Sequence, residues 1–403
     1  MPSLSDLGVV TGKERLCFLS STSPSSSSPP RISSSMESIK PLTLGSSLLV
    51  PNVQELAKQP METIPPRYLR PELNSRIINS TDSSQIEIPV IDLRKFHIGE
   101  SIFASELEKF HMVCRDWSFF QLVNHGVKSS VVEKMKLAIQ QFFALTMEEK
   151  KRYWQQPGEV EGFGQAFVVS EEQKLDWNDI FYTNTLPPEL RKSHLYDNLP
   201  LYFREAMEAY SLELEKLAKE LLGLMAKALG MDEKDMAETF EGGAQSMRMN
   251  YYPPCPQPEE VIGLTPHSDA TGLTLLLQVN EMEGLQIRKD GVWVPVKPLP
   301  DAFIVNIGDC LEILTNGIYR SIEHRAVVNS TKERLSIATF YNPRMLGEIG
   351  PAHSLVTAER PAKFKTVATE KYFKDFFTRE LNGKSFLDSL RIEGTTAALS
   401  DQP

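Results

Sequence analysis

GLTPHSDATGLTLLLQ, Gly263 to Gln278, has the Leu, Thr and Gly texture of a buried strand, yet it carries a His and an Asp two residues apart near its start. In an extended chain successive side chains point to opposite faces, so His267 and Asp269 share one face and Ser268 takes the other. A short polar pair of this kind also arises by accident, and an Asp before a strand often does no more than cap a turn. The pair therefore takes its meaning from what surrounds it.

Strands recur at short intervals on both sides. SMRMNYY, LTLLLQV, LQIRK, WVPVK, AFIVNIG, RSIEHRAVV and LSIATFY follow one another from Gln245, separated by turn signals such as KDG at 289–291, PLPD at 298–301 and TNG at 315–317. Many short strands with regular turns predict a jelly roll or barrel of the cupin type. Upstream, from Val50 to Leu229, the pattern is mainly helical, with two early strands in IEIPVIDL (86–93) and WSFFQLVNHG (117–126). Between Tyr202 and Leu229, Leu214, Leu217, Leu221, Leu224, Met225 and Ala228 make one apolar stripe, and Gly230 ends the helix. The expected fold is α+β, a double-stranded β-helix (jelly roll, cupin-like) core with an N-terminal helical region packed against it. Its expected parts are a mainly helical region over 50–240, the jelly roll over 243–345 and a C-terminal helical segment over 346–390. In that last segment TEKYFKDFFTREL offers Phe373, Phe376 and Phe377 as core packing or as a lid over the barrel mouth. Residues 1–35 are Ser- and Pro-rich and are expected to be a disordered extension upstream of an internal start such as Met36. Asp6 and Glu14 weigh against a transit peptide, and with it against a plastid destination.

Composition narrows the function. The 403 residues are 41% hydrophobic with a formal net charge of -10, enough chain for a sizeable core and the wrong sign for neutralising nucleic-acid phosphates. No apolar run approaches about twenty residues, so no membrane span is expected. Cys17, Cys114, Cys255 and Cys310 are far apart and form no C-x-x-C, which fits a reducing cytoplasm and argues against a thiolate metal cage. A metal here would use His and carboxylate ligands, the expected partner is a small molecule, and a monomer is the default.

Two His and one carboxylate on a single face form the facial triad of non-haem Fe(II) oxygenases. His267 and Asp269 supply two such ligands. Among the other histidines, His324 in RSIEHRAVV shares a strand face with Ile322 and Ala326 and would point into the barrel. His353 and His125 sit in turns, and His97, His111 and His194 belong to the helical half. Ten residues beyond His324, Arg334 and Ser336 share a face of the next strand, where a guanidinium and a hydroxyl can hold a carboxylate; an internal ion pair with a Glu is the plainer alternative. Asn250 and Tyr252 form a third i, i+2 pair on the strand before the diproline.

These motifs together resemble the plant 2-oxoglutarate and Fe(II)-dependent dioxygenases. NYYPPCPQP, LTPHSD, GLQI, WVPVKPLPDAFIVNIGD, LEILTNG, HRAV and ERLSIATFYNP occur in the order that family shows, with IPVIDL and WSFFQLVNHG ahead of them. MESIKPLTLGSSLLVPNVQELAK and GFGQAFVVSEEQKLDW are similar to the subfamily named after senescence-related gene products, which includes alkaloid O-demethylases and a norcoclaurine synthase. The resemblance implies that His267, Asp269 and His324 bind iron and that Arg334 and Ser336 bind the distal carboxylate of 2-oxoglutarate, with Asn250 and Tyr252 near its other end. It makes Phe340 a residue facing the substrate and Arg248, Phe163 and Phe167 further pocket candidates.

The resemblance also implies the reaction. Fe(II), 2-oxoglutarate and dioxygen, with ascorbate as reductant, would oxidise a small hydrophobic plant metabolite or hormone and release succinate and carbon dioxide. Hydroxylation, O-demethylation and desaturation begin from the same hydrogen abstraction, and the sequence does not choose among them. A non-redox metal-binding cupin, for instance a zinc site, and a small-molecule binding protein without turnover are the alternatives.

Overall fold

The computed structural model of the chain describes residues 47–61, 63–70 and 87–392. The Ser/Pro-rich stretch 1–35 and Met36 lie outside them. Fourteen strands, numbered here in chain order, form two facing sheets and a small ribbon. Eight of them, in the spatial order β1 (Val90–Asp92), β2 (Phe119–Val123), β10 (Phe303–Ile307), β7 (Leu273–Gln278), β12 (Arg334–Tyr341), β5 (Gln245–Tyr252), β4 (Asp179–Leu186) and β3 (Gly162–Gly164), build the large sheet. Only its β1 and β2 run parallel. The smaller sheet has the order β6 (Leu264–His267), β11 (His324–Ala326), β8 (Leu285–Lys289) and β9 (Val292–Pro295). Ile287 and Val294 of the small sheet pack against Phe119 and Ile304 of the large one, which closes the jelly roll. The ribbon pairs β13 (Glu348–Ile349) with β14 (Val367–Ala368).

Period-two alternation decides what each strand of the large sheet shows to each side. Met247 and Met249 of β5, Leu273, Leu275 and Leu277 of β7, and Leu335 and Ile337 of β12 face outward into the helical layer. Each such apolar side chain removed from water contributes about 1.5–3 kcal/mol. The intervening residues, Arg248, Asn250, Thr274, Arg334 and Ser336, face the barrel interior and carry the polar chemistry. The helical layer is made of α1 (Glu100–Asp116), α2 (Ser129–Ala144) and α3 (Leu201–Leu229). Leu214, Leu217, Leu221, Leu224 and Met225 of α3 are buried as the stripe requires, and Gly230 ends the helix at φ 62, with its N–H bonded to the carbonyls of Ala226 and Lys227.

The N-terminal half contributes more sheet than its sequence pattern announces. IEIPVIDL and WSFFQLVNHG do yield strands, but β3 and β4 extend the large sheet beyond β5 from a region read as helical. DIFYTNTL in β4 is buried along almost its whole length and so lacks the polar alternation that marks a half-exposed strand. Ahead of the TNG turn at 315–317 lies the short helix Asp309–Leu314, in a segment for which the sequence pattern offered no helix. Among the described residues no helix is long and apolar enough to cross a membrane.

Candidate active site

His267 is the last residue of β6 and His324 the first of β11, and the two are register partners across the small sheet. Asp269 follows two residues later, before β7 begins. His267 Nε2 lies 3.4 Å from Asp269 Oδ1, and His324 Nε2 lies 3.6 Å from the same oxygen. The two rings are 4.3 Å apart between centroids. Ser268 turns the other way, as alternation requires, and its hydroxyl donates to Asp309.

The outer atoms of all three side chains are already engaged. His267 Nδ1 lies 2.8 Å from the Thr265 carbonyl, and His324 Nδ1 lies 3.4 Å from that of Ile322. Those carbonyls can only accept, so the Nδ1–H tautomer is selected and each Nε2 lone pair is turned toward Asp269. Asp269 Oδ2 accepts from Thr274 Oγ1 at 2.7 Å and Asn306 Nδ2 at 2.8 Å, leaving Oδ1 for the shared point. Burial pulls the His324 imidazole down to about 4, against the pull of Asp269, so the ring is neutral at pH 7. Burial alone would raise Asp269, but His324, His267 and the Asn306 hydrogen bond outweigh it and hold the carboxyl well below its usual range. Three buried lone-pair donors, two nitrogens and a carboxylate oxygen, within 4.8 Å of one another fit a divalent transition metal and leave room for further ligands on one side.

A cavity runs from this point to Arg334, Ser336, Asn250 and Tyr252. β12 and β5 place these residues opposite each other, with Arg334 paired to Tyr252 and Ser336 to Asn250. Arg334 is only 2% exposed. Its Nη2 donates to Gln278 Oε1 at 2.9 Å, its guanidinium lies 5.1 Å from the Tyr252 ring centre, and its Nε has no partner. Among the described residues no carboxylate comes within 4.0 Å of it, so the internal Glu pair that the sequence left open is not formed. A buried guanidinium without a carboxylate is a receptor for an anionic ligand. Gly284 supports this arrangement, because a Cβ there would stand 2.9 Å from Arg334 Cδ and 2.7 Å from the Val327 carbonyl.

A second, larger cavity opens on the other side of His267 and Asp269. Ile180, Phe340, Phe167, Phe376 and Phe377 give it aromatic and aliphatic walls, and Arg248 and Phe340 line both cavities. Arg248 Nε donates to Asn250 Oδ1 at 2.8 Å. Phe167 has φ 64, unusual for a bulky residue, and its ring stacks on Phe377 at 5.5 Å with 5° between the planes. In helix α4 (Thr369–Phe377), Tyr372 and Phe373 are core residues, as expected, and Phe373, Phe376 and Phe377 line the cavity.

Phe163 is not brought to either cavity. β3 pairs it with Phe181, and alternation sends both rings into the helical core, with Phe163 packing 6.2 Å from Phe142 and from Phe143. The neighbouring parity, Ile180 and Tyr182, faces the cavity instead. Four of the other five histidines are satisfied elsewhere: His97 by Glu220, His111 by Tyr319, His125 by the Asp301 carbonyl and His194 beside Glu159. Sequence reasoning passed over Thr274, Asn306, Gln278, Tyr182 and Asn342. Extending the even-numbered series one step past Phe340 would have reached Asn342, and Thr274 meets Asp269 within the same stretch; Asn306 and Gln278 are isolated polar residues whose partners are distant in sequence.

The model of the 2OG-Fe(II) oxygenase superfamily matches residues 243–343, and that of the non-haem dioxygenase in morphine synthesis N-terminal region matches 88–201. The chain is 57% identical to Protein SRG1 of Arabidopsis thaliana, over 86% of this chain and 98% of that protein. It is 56% identical to oxoglutarate-dependent flavonoid 7-O-demethylase 1 of Ocimum basilicum, over 87% and 93%. Among solved structures, JOX2 in complex with 2OG, Fe and JA superposes with a TM-score of 0.77 at 37% identity, covering 85% of this chain and 98% of that one. With a relative so similar along nearly its whole length, and with the site geometry above, the chain belongs to the 2-oxoglutarate- and Fe(II)-dependent oxygenase superfamily.

Proposed function

We propose that this dioxygenase removes the methyl group of an aromatic methyl ether, with His267, Asp269 and His324 holding Fe(II) and Arg334 and Ser336 holding the distal carboxylate of 2-oxoglutarate. Asn250 and Tyr252 shape the approach to the metal, and Phe340, Arg248 and Phe167 belong to the substrate side. The observation that carries the reading is the larger cavity, which reaches His267 and Asp269 between aromatic walls suited to a flat apolar ring system. The flavonoid O-demethylase relative supports the choice of reaction. Iron with its co-substrate supplies oxidative decarboxylation, sending one atom of dioxygen into succinate and the other into a substrate C–H bond.

The protein's own residues do the orienting. The Asn306 and Thr274 hydrogen bonds keep Asp269 turned toward the metal point, Arg334 fixes the co-substrate end, and Phe167 with Phe377 shields the substrate end from water. Insertion of oxygen into the methyl C–H bond makes a hemiacetal, which collapses to formaldehyde and the free phenol. The buried thiols of Cys114, Cys255 and Cys310 accord with a reducing compartment.

The test is incubation of the protein with Fe(II), ascorbate, 2-oxoglutarate and a panel of methoxylated flavones. Equimolar phenol, formaldehyde and succinate are expected. Products that gain oxygen without formaldehyde would replace demethylation by hydroxylation, and turnover with zinc in place of iron and no succinate would remove the redox reading altogether.

A further inference from the structure

Asn342 is 7% exposed and lines the larger cavity, yet its buried side-chain Oδ1 has no hydrogen-bond partner among the described residues. Its backbone is fixed, since its N–H donates to the Ala244 carbonyl at 2.8 Å and so continues the β12–β5 pairing by one residue. A buried amide oxygen left unpaired is destabilising. It caps no helix and closes no turn, so the fold gains nothing visible in return.

Its place along the barrel gives it a use. The interior face of β12 continues as Arg334, Ser336, Ala338, Phe340 and Asn342, and the facing residues of β5 are Tyr252, Asn250, Arg248, Ser246 and Ala244. One end of this two-strand ruler carries the guanidinium that receives the co-substrate. Asp269 meets this sheet through Thr274, whose register partner on β12 is Phe340, and Phe340 and Arg248 line both cavities beside His267 and Asp269. Asn342 stands two residues beyond Phe340, about 7 Å along an extended strand. Phe377 and Ile180 wall the same cavity.

We propose that Asn342 is a specificity-determining residue: it hydrogen-bonds a hydroxyl or carbonyl at the end of a flat, elongated aromatic substrate opposite to the carbon that is oxidised. A carboxamide offers an acceptor oxygen and a donor nitrogen, so either group is accommodated by turning it over. A site built this way rejects an analogue that lacks the polar group, because the amide is then buried without a partner. The inference rests on the reading that this cavity receives the substrate, and it does not depend on which oxidation follows.

The test uses anaerobic Fe(II)–2-oxoglutarate enzyme titrated with flavone and 4′-hydroxyflavone, neither of which has a methyl ether, in the native protein and in Asn342→Leu and Asn342→Ala. The native protein should bind the hydroxylated probe at least about tenfold more tightly. Both variants should lose that preference while keeping their affinity for flavone, and Asn342→Leu should melt no lower than the native protein, since it removes an unpaired amide oxygen. Failure of the probes to bind, equal affinity in the native protein, or a preference that survives in the variants overturns the assignment. A lowered melting temperature with both affinities lost together also overturns it, in favour of a structural role. Turnover of 7-methoxyflavone is followed in parallel. Its absence with the binding preference intact overturns the demethylase reading alone.

Discussion

Arg334 and Asp269 gain their chemistry from what their neighbours leave undone. Asp269 has one oxygen occupied by Thr274 and Asn306 and the other free for the point shared with both imidazoles. Asp269→Ala should abolish the visible charge-transfer absorption of the anaerobic Fe(II)–2-oxoglutarate complex and stop succinate formation; retention of both would remove Asp269 from the ligand set. For Arg334 the expected effect is different. Losing hydrogen bonds from a charged group to a carboxylate costs about 1.5–3 kcal/mol, so Arg334→Ala should raise the 2-oxoglutarate KM by roughly 10–150-fold. Iron affinity should stay nearly constant. A guanidinium that only braces the barrel would instead lower the melting temperature and leave that KM alone. At this scale the sequence was informative wherever two functional residues sit at i and i+2, as in His267 with Asp269 and Arg334 with Ser336. It was silent on Asn306 and Gln278, single polar residues whose partners come from distant parts of the chain, and on Thr274, which meets Asp269 across a turn of its own stretch.

Among the elements, β5 and β12 show how one strand serves two solvents. Their odd residues face the helices and their even residues face the site, so a one-residue slip would exchange Met249 for Asn250 in the core. The same parity explains why Phe163 is a core residue although the segment around it borders the cavity. Helix α4 is the other informative element, because Phe376 and Phe377 lean on Phe167 at the cavity wall. An aromatic pair is worth about 0.5–1.5 kcal/mol beyond its burial, so Phe377→Ala should weaken binding of an aromatic substrate roughly 2–12-fold. Opening that wall to water should also let 2-oxoglutarate be consumed without substrate oxidation, visible as succinate exceeding oxidised product. Tight stoichiometry in the variant would mean that the ring is packing only.

Across the whole molecule, the C-terminal segment ties α4 to the back of the metal-binding loop. Gly383 bonds to Pro266 and Ser268 on either side of His267, through its N–H at 3.0 Å and its carbonyl at 3.3 Å. One turn further, Lys384 and Arg391 meet the fully buried Glu312 at 2.6 and 2.9 Å, and Ser321 donates to the same carboxylate. Burial alone would raise Glu312, but Lys384 and Arg391 outweigh it and its value falls below the ordinary 4.5. A depressed carboxyl contributes stability that is present above its unfolded value and lost as pH falls through the folded one. The native melting temperature should therefore drop as pH falls below 4.5, and Glu312→Gln should be less stable at neutral pH with a shallower acid slope. An unchanged slope would remove Glu312 from the account. By itself the sequence determined the jelly roll, the two early strands, the α3 stripe and the metal-binding constellation, because alternation, helical periodicity and turn residues are local signals. Only the tertiary structure decided that β3 and β4 join the large sheet, that Phe163 turns away, that α4 walls the cavity and that the Asn342 side-chain oxygen has no partner among the described residues. Each of those outcomes depends on which distant surfaces meet, and a fully buried segment such as β4 carries no polar rhythm from which that meeting can be read.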